Sequence, residues 1–136
     1  MMADILSSAS LLLAILTAIF SLFYPAITEI LTIEPKTGAT KKDNGPNYIR
    51  GKGVRNSKVL PLFIGGPLLT LVFIPEFLYQ LKNVQLVYKA HGIRMSDYDT
   101  ANASYIMVTV FAIALTINIL ILSFKYFAHL KKLRPE

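Results

Sequence analysis

The chain has no cysteine. No disulfide, thiolate metal site or cysteine nucleophile can form from it, and this absence identifies no compartment. Charge is scarce too: Asp, Glu, Lys and Arg make up 16% of the 136 residues, against about 25% in an ordinary soluble domain. The scarcity is uneven. Ile5–Ile33 holds one carboxylate, Glu29; Val59–Tyr79 holds one, Glu76; Tyr105–Phe124 holds none.

Those three stretches are 29, 21 and 20 residues long. A helix needs about 20 apolar residues to cross a hydrocarbon layer about 30 Å thick, so each is long enough. Core helices of small soluble proteins keep a polar face, whereas the last stretch offers only Thr109, Thr116, Asn118 and Ser123. Met1-Met2-Ala3-Asp4 lacks the cations of a signal peptide, and the first stretch is too long for one, so it is expected to stay as an uncleaved span. The expected fold is an all-α integral membrane protein. A single membrane domain over 1–136 has three transmembrane helices at about 5–27, 59–79 and 105–125, a basic loop at 34–58 and a second loop at 80–104.

The net charge of +6 is segregated. Lys36, Lys41, Lys42, Arg50, Lys52, Arg55 and Lys58 fall in the first loop, and Lys125, Lys131, Lys132 and Arg134 fall in the tail. Three spans put these 11 cations on one side and Lys82, Lys89 and Arg94 on the other. The positive-inside rule then predicts an outer N-terminus and a cytoplasmic C-terminus, N-out/C-in. A multi-pass protein of a cell membrane is expected, the bacterial inner membrane first among candidates. Anionic headgroups are expected at Lys41, Lys42, Arg50, Lys52, Arg55, Lys131, Lys132 and Arg134.

The first helix should start near Asp4, which suits the positive end of the helix dipole. Ser7, Ser10, Ala14, Thr17, Ser21 and Thr28 recur at helical spacing. Small residues let membrane helices approach closely and hydroxyls bond across the contact, so this stripe is expected to face the other helices or a second copy. The competing reading is that the hydroxyls bond their own preceding carbonyls and face lipid. Pro25 predicts a kink, and Glu34-Pro35 the helix end. Ile27, Ile30, Leu31 and Ile33 alternate with Glu29 and Glu34 as an amphipathic stretch at the cytoplasmic interface.

Between 34 and 58 the glycines, the prolines and the turn signal Asn44-Gly45-Pro46-Asn47 predict a loop. Gly51-Lys52-Gly53 lacks the spacing of a phosphate-binding P-loop. With only Tyr48 and Ile49 interrupting the polar chain, base stacking has little to use, and no nucleic acid partner is expected. Gly65-Gly66-Pro67 predicts a bend or break in the second helix. Glu76, near its end, is a carboxylate at membrane or interfacial depth, with Gln80 or Lys82 one turn away.

Leu78, Leu81, Val84, Val87 and Tyr88 carry helical spacing onward, and His91-Gly92 reads as a stop with glycine in a left-handed cap. Ser96 and Asp99 resemble a capping box opening the next helix. The second and third helices should therefore form a hairpin projecting beyond the outer face. His91, Asp97 and Asp99 match no metal-site spacing, and no metal or cofactor is expected. A lone Asn118 in hydrocarbon should seek a partner, in another copy or on a backbone carbonyl.

Catalysis needs a nucleophile with a base, or a metal set. Glu29, Glu76 and Asn118 lie at different depths, so an enzyme is not expected. The expectation is a small non-enzymatic polytopic protein acting through helix–helix or protein–protein contacts: an accessory subunit, an immunity-type protein or an assembly partner. Its partners would be the lipid bilayer and either further copies or another membrane protein. The alternative is a self-assembling pore or a holin- or toxin-like effector. Three-span holins share the topology and basic tail, but their first loop is short where this one holds 25 residues; the likeness is architectural and covers no motif.

The orientation is open to a direct test. Alkaline phosphatase joined within 80–104 should be active in a bacterium, and the same enzyme joined after the tail should be inactive. The reverse pattern would contradict the charge reading.

Overall fold

A computed structural model describes residues 2–92 and 99–135, and every regular element in them is helical. Helix α1 spans Met2–Leu31, α2 Gly45–Val54, α3 Leu60–His91 and α4 Thr100–Lys132. A 3-10 segment, Gly38–Asn44, precedes α2, and one π turn, Arg55–Val59, joins α2 to α3. Three helices, α1, α3 and α4, are long and apolar enough to cross a membrane.

The basic segment departs from the expected loop. Asn44 is almost wholly buried, its amide donating to the Lys36 carbonyl at 2.8 Å and accepting from the Lys36 N–H at 2.9 Å. That clasp closes the chain after α1. The Asn44-Gly45-Pro46-Asn47 turn signal instead opens a helix: Asn44 directly precedes α2 without capping it, its side chain being held by Lys36, and Pro46 stands in the first turn, where a missing N–H costs nothing. Gly51 and Val59 are both buried and lie eight positions apart, one more than two turns of a helical seam. The π turn absorbs the extra residue.

The prolines do not break the spans. Helix α1 runs through Pro25 and ends at Leu31, before Glu34. Helix α3 runs unbroken through Gly65-Gly66-Pro67 and Pro75, so of the bend or break expected there the break is excluded. Each proline deprives one carbonyl of its N–H donor, and an apolar medium penalises breaking the remaining bonds more than tolerating that single loss. The Thr116 hydroxyl, 3.3 Å from the Gly66 carbonyl, supports the backbone beside Pro67.

Helix α4 is central. It packs along both α1 and α3, which touch each other little. Its buried residues are Tyr105, Thr109, Ala112, Thr116, Ile119, Ser123, Tyr126 and Leu130, and with Leu133 just past its end they follow in alternating steps of four and three. A 3.5-residue repeat of this kind keeps one seam turned to its neighbours along the whole length. Small members admit α3 closely: Thr70 and Thr116 place their hydroxyl oxygens 2.6 Å apart. At one end Leu16, Ile27, Ile30, Val59, Leu62, Ile119 and Tyr126 form an apolar cluster. At the other, Ala9, Phe73 and Tyr105 do so, and the Tyr105 hydroxyl donates to the Phe73 carbonyl at 3.2 Å.

The connection between α3 and α4 is described at its two ends only. Gly92 ends α3 with φ +70° and ψ −159°, a region open to glycine rather than the left-handed helical cap expected, and its N–H bonds the Tyr88 carbonyl at 2.8 Å. Asp99 is itself the cap of α4, accepting from the N–H groups of Ala101 and Asn102 at 3.0 and 3.5 Å. Asp99 thus stands at the cap and not three residues into the helix, as the expected box had it; Ser96, like Asp97 and Arg94, lies outside the described residues.

Replacing Thr116 by valine keeps the shape but removes the hydroxyl shared by Thr70 and Gly66. A loss of about 0.6–1.7 kcal/mol is expected in reversible unfolding from mixed micelles, with Thr116→Ser much closer to the parent. Equal stability of the valine variant and the parent would refute the role given to this bond.

Candidate functional site

Three places gather polar groups at positions where packing alone does not require them. The first is the outward face of α1 and α4. Ser7, Ser10, Ala14, Thr17 and Ser21 are all exposed, and Thr28 is half-buried. The stripe therefore does not face the chain's other helices, correcting that half of the expectation. Apolar Ile5, Leu6, Leu12, Leu16, Phe20 and Phe23 occupy the inner side instead. Two of the hydroxyls bond inside α1: Thr17 donates to the Leu13 carbonyl at 2.8 Å, and Thr28 lies 3.0 Å from the carbonyls of both Tyr24 and Pro25.

Asn118 is exposed as well, one position from the buried Ile119. It lies outside the seam, on a groove between α1 and α4 that Phe20, Tyr24, Ile121, Leu122 and Lys125 also line. Its amide forms no hydrogen bond among the described residues, and the backbone-carbonyl partner expected for it is not found among them.

The second place is the end of the bundle near the start of α1. Asp4, Ser8, Glu76 and Tyr105 line a cleft together with Ile5, Val72 and Phe73. Gln80, buried one turn on, donates to the Glu76 carboxylate at 2.7 Å; of the two partners expected for Glu76, it is the one that bonds. Among the described residues, no three His, Asp or Glu side chains come close enough to share a metal ion.

The third place is the basic end. There α2 lies against α1 and α4 at a glycine. A Cβ on Gly51 would lie 2.7 Å from Leu130 Cδ1 and 3.3 Å from Ile30 Cγ2, so only glycine admits this approach without a shift. The Tyr126 hydroxyl donates to the Gly51 carbonyl at 2.5 Å, fastening α2 to α4. Lys58 sits over the Phe23 ring at 5.5 Å, and Arg50 pairs with Glu29 at 2.5 Å. Both members of that pair are more than half exposed, so it adds little stability.

This packing leaves an open cavity of about 340 Å³ lined by Tyr48, Arg55, Leu60, Phe127, Leu130, Lys131 and Arg134. Of the eight basic residues expected at headgroups, Arg55, Lys131 and Arg134 meet here. Arg50 is engaged by Glu29, while Lys41, Lys42, Lys52 and Lys132 lie elsewhere.

Sequence reasoning missed Asn44, Gly51, Tyr105 and Tyr126. A findable signal existed for α4, where Tyr105, Thr109, Ala112, Thr116, Ser123 and Tyr126 keep the same three-and-four spacing that drew attention to α1. For Asn44 and Gly51 the polar, glycine-rich surroundings imitate a loop, and nothing local distinguishes a buried glycine from a flexible one. Compared with protein-family models, with curated protein sequences and with solved structures, the chain matches none.

Proposed function

We propose that the chain is a non-enzymatic, multi-pass membrane protein that works by docking its α1/α4 face on another membrane-embedded helix, as an accessory subunit, an immunity-type protein or an assembly partner. The observation carrying this reading is Asn118: an exposed amide, unbonded within the described residues, in the middle of an apolar span. An amide in hydrocarbon is costly until it is bonded, and in membranes such groups bond across helix contacts. The exposed small residues of α1, on the helix flanking the Asn118 groove, would allow a partner to approach closely.

A second copy of the chain is the partner that needs fewest assumptions, because one Asn118 can both donate to and accept from another. The proposed orientation puts the 11 cations of the basic segment and tail in the cytoplasm and the α3–α4 connection outside, where both helices would project beyond the bilayer.

The purified chain should run as an oligomer or complex in mild detergent, and Asn118→Leu should reduce its size. Identical sizes would remove the basis of the proposal. Regulated expression in a bacterium should leave the membrane potential steady; rapid depolarisation would replace this reading with a self-assembling pore.

A further inference from the structure

The cavity at the basic end has no part in helix docking, yet there the fold brings together cations far apart in sequence. Arg55 comes from the π turn, and Lys131 and Arg134 from the end of α4 and the residues just beyond it, more than 70 positions away in sequence. Among the described residues no carboxylate lines it. Three cations around one opening repel each other, and an anion seated between them removes that cost.

The remaining lining narrows the chemistry. Tyr48 adds a phenolic hydroxyl, and two guanidinium groups supply planar forks suited to phosphate oxygens. Leu60, Phe127 and Leu130 form an apolar wall. Leu60 stands at the start of the apolar stretch Val59–Tyr79 and Phe127 just past the end of Tyr105–Phe124, so the cavity opens where a span meets the interface. A phosphate on the cations and hydrocarbon along the wall would satisfy both halves of the lining together.

We infer that the cavity between α2, the π turn and the end of α4 is a binding site for a phosphate group, and that its apolar wall selects the phosphate of an anionic membrane lipid. The site differs from the loose electrostatic attraction of a basic segment to a charged surface, which depends on the number of cations rather than their arrangement. It depends on the three-span membrane reading but not on docking at Asn118, so either proposal can fail alone.

The packing leaves these cations open to substitution. Among the described residues the Arg55 side chain bonds only that of the neighbouring Asn56, at 3.2 Å, and Lys131 and Arg134 are exposed. The test is retention of phosphatidylglycerol by the full chain in native mass spectrometry, titrated against phosphatidylcholine, with glycerol phosphate as the soluble probe. Phosphatidylglycerol should bind in preference, and Arg55→Gln with Arg134→Gln should weaken it about tenfold or more. Arg134→Gln alone, beyond the last turn of α4, should weaken it in part without touching the fold. Lys41→Gln with Lys42→Gln, which removes as much charge away from the cavity, should leave binding unchanged. Glycerol phosphate bound with the same dependence on Arg55 and Arg134 would keep the phosphate site but assign it a soluble ligand. Equal weakening by the two double variants, or none by either, would overturn the site.

Discussion

Hydroxyl groups of one helix bonded to backbone carbonyls of another hold this protein together. In hydrocarbon no water competes for a side-chain hydroxyl, and apolar contact alone does not favour one helix face over another. Helix α4 resolves both difficulties along a single seam. Tyr105 reaches the Phe73 carbonyl, Thr116 reaches Gly66 and Thr70, and Tyr126 reaches Gly51, so α4 is fastened to the α2–α3 rod at three levels. Each bond is modest, but together they fix the rotation and depth of α4, which leucines packed against lipid-like neighbours would not do.

The arrangement at the basic end follows from that seam. Once Tyr126 and Leu130 are turned towards α2, residue 51 must be small, and Gly51 lets the segment lie close. The π turn then brings α2 back into register with α3, and Arg55 stands on that turn beside Lys131 and Arg134. The three cations converge because the seam continues past the apolar stretch, to Leu130 and Leu133. What looked like a loop serving only to set topology is a folded part of the bundle.

The spans were legible because length and hydropathy are the signal and the bilayer sets the length. The end of α3 at Gly92 was legible because only glycine readily takes its backbone angles. The inward faces were harder to read. A soluble helix marks its inner face by apolar residues, but in a helix apolar all round the mark is lost, and a stripe of small residues suits lipid, a neighbour in the chain or a second copy equally well. Ser7, Ser10, Ala14, Thr17 and Ser21 turn outward, while the similar stripe of α4 turns inward. The 34–58 segment misled for another reason. Pro46 and Gly51 carry loop composition, yet one fits a first helical turn and the other a close contact, and the role of Gly51 depends on Ile30 and Leu130, distant in sequence.

The seam is therefore the claim on which the fold and both proposed sites rest. The chain's lack of cysteine allows an unambiguous check by paired cysteines. Thr70→Cys with Thr116→Cys, whose hydroxyl oxygens lie 2.6 Å apart, should form a disulfide within one chain under mild oxidation. Ser10→Cys with Thr116→Cys, joining the outward face of α1 to the inner seam, should not. Failure of the first pair, or equal cross-linking of the second, would contradict the account.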